Sequence, residues 1–229
     1  MNVLSVIVPF FNEEKTLSNA LEDVLINLNP YEIILVNDGS TDSSLKIAKQ
    51  YEIKYKNIVV INSLQNQGKG SAIRNGIEKC TGKVISIFDA DLEYSSIDLA
   101  YVYQNLIKFD LDFASGSRFL GDKVRKNIYY RTYVANKFLS ILFSAVYLVK
   151  VSDIATCIKV FKKDFINHTS LESDGFEIEV EILAKAFKKS KKFSEFPISY
   201  KARSYKEGKK IKMIDGIKYI SAIFKYRFL

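Results

Sequence analysis

The first ninety residues alternate short apolar runs with stretches of helical periodicity, and the connections between them are short. Apolar runs at residues 3–8, 33–36, 58–61 and 84–88 predict four buried strands. Helical patterns lie between the runs, and the helix after the third run is predicted from about Lys69 to Lys79. Because parallel strands must be joined by long crossovers such as helices, this alternation predicts an α/β fold with a mostly parallel, doubly wound sheet.

The second half of the chain is less regular, but it contains no linker, repeat or low-complexity segment. We therefore predict one domain over residues 1–229. Its later predicted elements are a helix at 96–109, a strand at 112–116, an aromatic and apolar segment at 128–149, a helix at 177–189, a strand at 193–200 and an amphipathic tail at 212–228.

The chain is basic, with a formal net charge of +8 from 34 basic and 26 acidic side chains. This balance favours anionic partners such as phosphates, nucleic acid or an anionic lipid surface, although an ordinary protein with a basic surface has it too. The two cysteines, Cys80 and Cys157, are too few for a disulfide framework and indicate a reducing compartment, the cytoplasm. The start of the chain lacks a signal-peptide pattern.

Polar residues follow the end of every one of the four predicted strands. They are Asn12 and Glu13, then Asp38, then the Gly-Lys-Gly at 68–70, and then Asp89 and Asp91. Any one of these groups is explained by caps and turns, which use the same residue types. Ligands of open α/β sheets bind outside the carboxyl ends of the strands, so the four groups together favour a binding site at that edge.

Three carboxylates, Asp89, Asp91 and Glu93, follow directly on the fourth apolar run. Like charges this close repel and raise one another's pKa, and a cation would remove the repulsion. Mg²⁺ and Mn²⁺ prefer oxygen ligands and are typically held by one or two carboxylates together with substrate phosphates. The pattern therefore predicts a divalent metal at this strand end, although a bare Asp-x-Asp also occurs by chance.

The N-terminal half contains four motifs in order: SVIVPFFNEEKTL, EIILVNDGSTDSS, NQGKGSAIRNG and FDADLE. In order and spacing they closely resemble the family-2 inverting glycosyltransferases, which have the GT-A fold. ASGSRFLG, SDIATCIKVFKKD and the basic segment at 197–228 are similar to the dolichyl- and polyprenyl-phosphate sugar synthases of that family. The resemblance covers nearly the whole chain and implies a Rossmann-like, mostly parallel sheet with helices on both faces.

The resemblance implies that residues 1–120 bind the nucleotide sugar. In the family, the loop after the first strand and the Asp after the second hold the nucleoside, and carboxylates suit this because they accept two N–H or O–H groups. The implied donor-binding residues are Pro9, Asn12, Glu13, Asp38, Lys69, Asp89, Arg203 and Lys209. The last two lie in a basic, glycine-containing segment that, by resemblance, closes over the donor diphosphate and excludes water.

The resemblance also implies the metal ligands, Asp89 and Asp91, which would hold Mg²⁺ or Mn²⁺ on the diphosphate; Asp91 is thereby a catalytic candidate. Glu93 stands where many relatives carry Gln and is a candidate third ligand. The metal would neutralise the leaving nucleoside diphosphate.

Residues 121–229 are expected to form the acceptor-binding and membrane-interface half. Arg118 matches an arginine that relatives use near the acceptor phosphate, which makes it a candidate catalytic and acceptor-binding residue, and Arg131 is a second candidate clamp. An arginine fork gives a phosphate two parallel hydrogen bonds. Asp153 is the candidate catalytic base if the acceptor is a hydroxyl, whereas a lipid phosphate already arrives as an anion.

The segments at 128–149 and 212–228 are apolar, aromatic and flanked by basic residues, which is typical of helices lying in a bilayer interface. Packing on the sheet is the alternative. The longest apolar run, at 138–149, is shorter than the twenty or so residues needed to span a bilayer. We expect peripheral attachment to the cytoplasmic membrane face, or attachment through a membrane-protein partner. In the tail, the expected apolar side comprises Met213, Ile217, Ile220 and Phe224.

Together these features predict an inverting, metal-dependent glycosyltransferase that moves a sugar from GDP-mannose or a UDP-sugar to a polyprenyl or dolichyl phosphate. One alternative is transfer to a hydroxyl of a growing glycan. Another class is a nucleotidyltransferase, but its basic, glycine-rich first loop is replaced here by FFNEE at 10–14. A non-enzymatic nucleotide- or lipid-binding module is the third alternative, and nothing resembles a nucleic-acid-binding motif.

Overall fold

The computed structural model describes residues 3–127, 129–166, 170–190, 192–204, 208, 210 and 213–229. Seven of the described strands form one sheet in the order β3-β2-β1-β4-β7-β5-β8, and two short strands, β6 and β9, form a second pair. The strands are β1 Leu4–Phe10, β2 Glu32–Asp38, β3 Ile58–Ser63, β4 Val84–Ile87, β5 Phe113–Ser117, β6 Arg125–Lys126, β7 Lys159–Lys162, β8 Phe193–Pro197 and β9 Tyr200–Lys201.

Helices cover both faces of the large sheet. They are α1 Leu17–Leu28, α2 Ser44–Lys54, α3 Lys69–Lys79, α4 Ser96–Lys108, α5 Tyr130–Tyr147, α6 Ile178–Lys189 and α7 Met213–Phe228, with a short 3-10 turn at Lys163–Phe165. The predicted α/β fold with a mostly parallel sheet and helices on both faces is confirmed.

Two apolar layers hold the helices to the sheet, and the side chains of β1 and β2 alternate between them. Leu35 of β2 enters the layer formed with α1, α2 and α4, whereas Ile34 and Val36 enter the layer formed with α3, α5, α6 and α7. Both strands are buried along their whole length. This burial on two sides explains why they read as continuous apolar runs in the sequence.

The register of the parallel strands brings their carboxyl ends to one edge. Phe10 pairs with Asn37, Asp38 pairs with Ser63, and Ile7 pairs with Ile87. The loops that follow β1, β2, β3 and β4 therefore begin side by side. This is the edge at which the sequence predicts a binding site.

Strand β7 has no counterpart among the strands predicted from the sequence. It lies antiparallel between β4 and β5, with its first residue, Lys159, opposite both Ile87 and Ser115. The expected strand at 193–200 is divided, because the chain leaves the sheet after Pro197 and Tyr200 then bonds to Val124 O at 2.9 Å. Pro197 has no N–H to continue a ladder, which fits its place at the end of β8.

Helices α5 and α7 pack on each other and on the sheet, and each leaves apolar side chains exposed. The α5 stripe consists of Tyr130, Val134, Phe138 and Ile141, and the α7 stripe of Ile214, Ile217, Phe224 and Phe228. Of the expected apolar side, Ile217 and Phe224 are thus exposed, Ile220 packs partly buried against the core, and the side chain of Met213 lies outside the described part of the chain. The buried face of α7 is formed by Tyr219, Ala222, Ile223 and Tyr226. Within the described chain, no helix has the length and apolarity needed to cross a membrane.

Candidate active site

A cleft of about 550 Å³ opens at the carboxyl edge of the sheet. Several regions line it: the loop after β1, the loops after β2 and β3, the acidic loop after β4, helices α5, α6 and α7, and Arg118 with the segment around β9. Among its lining residues are Pro9, Glu13, Asp38, Lys69, Asp89, Asp91, Glu93, Arg118, Tyr200 and Arg203. The structure thus brings most of the sequence-predicted residues to one cavity.

The acidic loop after β4 places two carboxylates against two cations. Lys69 Nζ lies 2.8 Å from Asp89, and Arg203 Nη2 lies 3.2 Å from Asp91 Oδ2. Burial, together with the negative charges of Asp89 and Glu93, raises the pKa of Asp91 to about 7, although Arg203 opposes this. Asp89 and Asp91 therefore repel each other even beside Lys69 and Arg203, and a bound metal ion would relieve that repulsion.

Glu93 uses both carboxylate oxygens in contacts with the segment around β9. Oε2 accepts a hydrogen bond from Tyr200 Oη at 2.6 Å, and Oε1 accepts one from the backbone N–H of Arg203 at 2.7 Å. Its own carbonyl accepts from Lys201 N at 2.9 Å. These contacts fix the position from which the Arg203 side chain enters the cleft.

Glu13, in the loop after β1, is held by two basic residues. Arg203 forms a fork with it, with Nη1 2.9 Å from Oε2 and Nη2 3.1 Å from Oε1. Lys210 Nζ lies 2.5 Å from Glu13 Oε1. Burial works against ionisation, but these hydrogen bonds keep the pKa of Glu13 below its usual value. Glu13 is thus a buried carboxylate that stays charged at the cleft wall.

Asp38, at the end of β2, holds the loop that precedes α3. Its oxygens accept hydrogen bonds from Gln67 N at 2.7 Å and Gly68 N at 2.9 Å. Burial nevertheless raises its pKa above the usual value. Gly68 has a φ of +98°, and a Cβ at Gly70 would lie 2.1 Å from Ser173 O. The Gly-Lys-Gly sequence is therefore required by close backbone contact, and it places Lys69 at the start of α3.

Arg118 and Asp153 form a buried pair beside the segment around β9. Arg118 Nε lies 2.7 Å from Asp153 Oδ2 and Nη2 lies 2.8 Å from Oδ1, while the Arg118 backbone N–H also donates to Oδ2. Asp153 is 0% exposed. Burial opposes its charge, but Arg118 keeps the pKa of Asp153 below its usual value. The Tyr200 ring stacks on the guanidinium, 4.9 Å from its carbon.

Asn12, Arg131 and Asp153 are not among the residues that line the cleft. The Asn12 side chain is exposed and its oxygen accepts from Thr41 N at 2.8 Å, so it joins the loops after β1 and β2. Arg131 is exposed in the first turn of α5, whereas Thr132 and Asn136 of that helix line the cleft. Lys209 lies outside the described residues.

The cleft also contains residues that the sequence analysis missed, among them Tyr94, Glu179, Lys210 and Tyr219. For Glu179 a signal exists. Ile182 and Leu183, three and four residues further along helix α6, share the face of Glu179, so a carboxylate at this position is expected to be buried. Buried carboxylates require a charged or hydrogen-bonding partner, and Glu179 has two lysines.

The donor set of the acidic loop fits a hard divalent cation. Asp89 and Asp91 supply carboxylate oxygens, and their mutual repulsion is the strain that a cation relieves. Among the residues described here, no group of three or more His, Cys, Asp or Glu side chains is arranged to hold a metal. Two carboxylates with substrate phosphates are the usual arrangement for Mg²⁺, so a protein cage of three is not needed.

The sheet order and the acidic pair after β4 define the GT-A class of glycosyltransferases. The fold matches glucosyl-3-phosphoglycerate synthase from Mycobacterium tuberculosis, solved with uridine diphosphate, with a TM-score of 0.77 and 16% identity over 100% of this chain and 81% of that one. A structure of the same enzyme with Mn²⁺, UDP-glucose and phosphoglyceric acid gives a TM-score of 0.78.

The chain belongs to glycosyl transferase family 2, whose family model matches residues 5–169. It is 31% identical to the dolichol-phosphate mannosyltransferase of Pyrococcus furiosus, over 90% of this chain and 58% of that protein. It is 29% identical to the UDP-N-acetylglucosamine–dolichyl-phosphate N-acetylglucosaminyltransferase of Methanococcus voltae, over 94% of this chain and 92% of that protein. It is 31% identical to the human dolichyl-phosphate beta-glucosyltransferase, over 81% of this chain and 64% of that protein.

Proposed function

We propose that this glycosyltransferase moves a sugar from a nucleoside diphosphate, GDP-mannose or a UDP-sugar, to a polyprenyl phosphate. The three sequence relatives named above, from Pyrococcus furiosus, Methanococcus voltae and human, are dolichyl-phosphate sugar transferases, which supports a lipid phosphate as acceptor. The reaction is a single displacement: an acceptor phosphate oxygen forms a bond to the anomeric carbon while the bond to the donor diphosphate breaks. Configuration at that carbon is inverted.

The observation that carries this proposal is the pairing of Arg118 with Asp153. Both oxygens of Asp153 contact Arg118 and its side chain is fully buried, so its geometry suits holding an arginine rather than taking a proton from a hydroxyl. Arg118, by contrast, lines the cleft. A fixed guanidinium at the cleft wall suits an anionic acceptor.

A phosphate acceptor also removes the need for a base. The second pKa of a phosphate monoester is about 6, so the acceptor is already an anion at neutral pH. A hydroxyl acceptor would have to lose its proton during the reaction, and a side chain would have to receive it. If the acceptor were a hydroxyl, Asp153 would be the residue expected to receive that proton.

On the donor side, the chain supplies fixed cations and carboxylates near the expected diphosphate. Lys69 and Arg203 line the cleft next to the acidic loop, where they can contact phosphate oxygens. Asp89 and Asp91 would hold Mg²⁺ or Mn²⁺, which when bound neutralises charge on the leaving diphosphate. Glu13 and Asp38 face the nucleoside end of the same cleft, and Arg203 must loosen its fork on Glu13 to reach the diphosphate.

The acceptor is a lipid, so the cleft must be reached from a membrane surface. The exposed apolar stripes of α5 and α7 suit the headgroup region of a bilayer, and α7 also carries Lys218, Lys225 and Arg227. Each basic residue near an anionic surface contributes roughly 1 kcal/mol of attraction. We place the enzyme at the cytoplasmic membrane face, attached peripherally or through a membrane-protein partner.

The proposal is tested by crossing labelled GDP- and UDP-sugars with short-chain polyprenyl phosphate and with simple glycosides, in the presence of Mn²⁺ or Mg²⁺. We expect label to appear in the lipid fraction with one donor, and Asp91→Asn to abolish it while the surface variant Asp110→Asn retains it. Label on a glycoside alone would support the hydroxyl alternative. Binding of donor with no transfer to either acceptor would support a non-enzymatic module.

A further inference from the structure

A chain of four alternating charges runs from the acidic loop into the core. Lys69 Nζ lies 2.8 Å from Asp89 and 2.9 Å from Glu179 Oε1, and Lys159 Nζ lies 2.5 Å from Glu179 Oε2. Glu179 is 2% exposed and Lys159 is 0% exposed. Glu179 therefore divides its two oxygens between a lysine that reaches the cleft and a lysine that does not.

Lys159 connects this chain to the acceptor side. Its ammonium contacts the main-chain oxygen of Thr156 and lies 3.5 Å from that of Ile154. Both carbonyls belong to the turn that directly follows Asp153. Asp153 holds Arg118 by two side-chain hydrogen bonds. Lys159 therefore stabilises the turn that positions Asp153 and, through it, the proposed acceptor arginine.

The position of β7 explains why this connection is possible. Lys159 is its first residue and lies opposite Ile87, two residues before Asp89, and opposite Ser115, three residues before Arg118. The strand thus lies between the strand that leads to the metal loop and the strand that leads to the acceptor arginine. Glu179, from α6, supplies the carboxylate that Lys159 needs in this apolar layer.

Glu179 also shares the Lys69 ammonium with Asp89. With Glu179 present, the Lys69 ammonium is shared between two carboxylates. Without the Glu179 charge, Asp89 would be its remaining carboxylate partner, and the ammonium would compete more strongly with a metal ion for the Asp89 oxygens. A carboxylate that acts through another residue in this way tunes a metal site from its outer shell.

We propose that Glu179 is a positioning residue that joins the two halves of the active site: through Lys69 it keeps Asp89 available to the divalent cation, and through Lys159 it holds the turn that supports Arg118 and Asp153. The acceptor half of this inference rests on the proposed function. The donor half concerns binding of a nucleotide with metal and is independent of the acceptor.

The test is calorimetric binding of GDP and of UDP in the presence of Mn²⁺, with Glu179→Gln compared with the unaltered protein. Outer-shell changes typically weaken metal affinity about tenfold or more, and we expect that loss for the nucleotide that the unaltered protein binds. The shorter carboxylate of Glu179→Asp cannot reach both lysines equally well, so we expect an intermediate loss. If Glu179→Gln does not fold, Glu179→Asp carries the same comparison.

Glu32→Gln is the matched control, because it also removes a buried carboxylate but at the opposite edge of the sheet, where Glu32 binds Ser5 Oγ at 2.6 Å and Thr81 N at 2.5 Å. We expect it to lower thermal stability without changing Mn²⁺-dependent nucleotide binding. Equal binding by Glu179→Gln and the unaltered protein would overturn the inference. Failure of the unaltered protein to bind either nucleotide would instead overturn the proposed function.

The variant Lys159→Gln tests the acceptor half of the inference separately from the donor half. We expect its nucleotide binding to stay within about twofold while its KM for polyprenyl phosphate rises about tenfold, because the Lys69–Asp89 contact is retained and the turn after Asp153 is not. A rise in nucleotide Kd equal to that of Glu179→Gln, with unchanged acceptor KM, would contradict the proposed division of roles.

Discussion

Arg118 and Asp153, 35 residues apart in sequence, meet through two side-chain hydrogen bonds of 2.7 and 2.8 Å and a third from the Arg118 backbone N–H. Arg118 follows β5 and Asp153 precedes the turn into β7, so the pair joins the ends of two adjacent strands. It presents a guanidinium at the cleft wall whose counter-charge is fully buried behind it.

Asp153→Asn should destabilise the protein strongly, because it leaves the buried Arg118 guanidinium without a counter-charge. Breaking a buried ion pair from one side typically costs about 3–5 kcal/mol. The free energy of unfolding from guanidinium chloride titration measures this. Asp110→Asn, which breaks an exposed pair with Lys162 and Lys192, is the control and should change stability little. Equal stability of the two variants would contradict the pairing.

Glu195 should make stability depend on pH. Burial and the negative charge of Asp153 raise the pKa of Glu195 to about 7, although the N–H groups of Ser152 and Asp153 bond to it at 2.7 and 3.0 Å. A carboxyl whose pKa is raised on folding binds its proton more tightly in the folded state. Its contribution to stability is therefore full below the unfolded pKa and is lost as the pH rises through about 7.

Glu195→Gln should remove that contribution. We expect the difference in unfolding free energy between about pH 5 and about pH 7.5 to be smaller in the variant than in the unaltered protein. Denaturant titrations at both pH values measure it, and the other titrating groups cancel in the comparison. An unchanged pH dependence would show that Glu195 keeps an ordinary pKa.

Gly70→Ala should destabilise the start of α3. The new Cβ would lie 2.1 Å from Ser173 O and 2.8 Å from the Asp174 carbonyl carbon, so the loop at 173–175 must move away from the helix. We expect a loss of about 1–3 kcal/mol, the usual cost of overpacking, and weaker nucleotide binding because Lys69 shifts with the helix.

Gly216→Ala is the matched control for this prediction. Among the described residues, no atom outside α7 lies within 4 Å of its added Cβ, and alanine is about 1 kcal/mol better than glycine inside a helix. Thermal unfolding of the two variants should therefore shift in opposite directions. A shift of the same sign in both would contradict the close contact at Gly70.

The exposed stripe on α5 should bind membranes. Replacing Phe138 and Ile141, which are 57% and 67% exposed, by serine removes two apolar side chains from the proposed interface. We expect binding to phosphatidylglycerol–phosphatidylcholine vesicles in a sedimentation assay to fall about tenfold or more. Ile53→Ser, at an exposed site on α2, should leave vesicle binding unchanged. Equal effects of both substitutions would contradict a role for this stripe.

The first four strands and α3 could be predicted from the sequence because each apolar run ends at a polar turn. The helix expected from about Lys69 to Lys79 has those limits in the structure. Strand β7 was missed because it has only four residues, begins and ends with lysine, and owes its place to pairing with strands distant in sequence. A short central strand of this kind has no periodicity of its own to detect.

The part of the site that lies at the ends of the parallel strands could be predicted from the sequence. Asp38, Asp89 and Asp91 were expected at one edge, and they line one cleft. The contacts of Glu93 with Tyr200 and Arg203 were not predictable, since these partners lie 107 and 110 residues away. Such pairings depend on how the second half of the chain folds over the first, which local sequence patterns do not encode.

Identifying the bond that the enzyme forms tests the proposed transfer to a lipid phosphate most directly. Polyprenyl phosphate is incubated with Mn²⁺ and the accepted nucleotide sugar, and the product is examined by phosphorus and proton nuclear magnetic resonance. We predict that the acceptor phosphate changes from a monoester to a diester bearing the sugar, with an anomeric configuration opposite to that of the donor. A phosphate that remains a monoester while the sugar appears on a hydroxyl or in water would contradict the account.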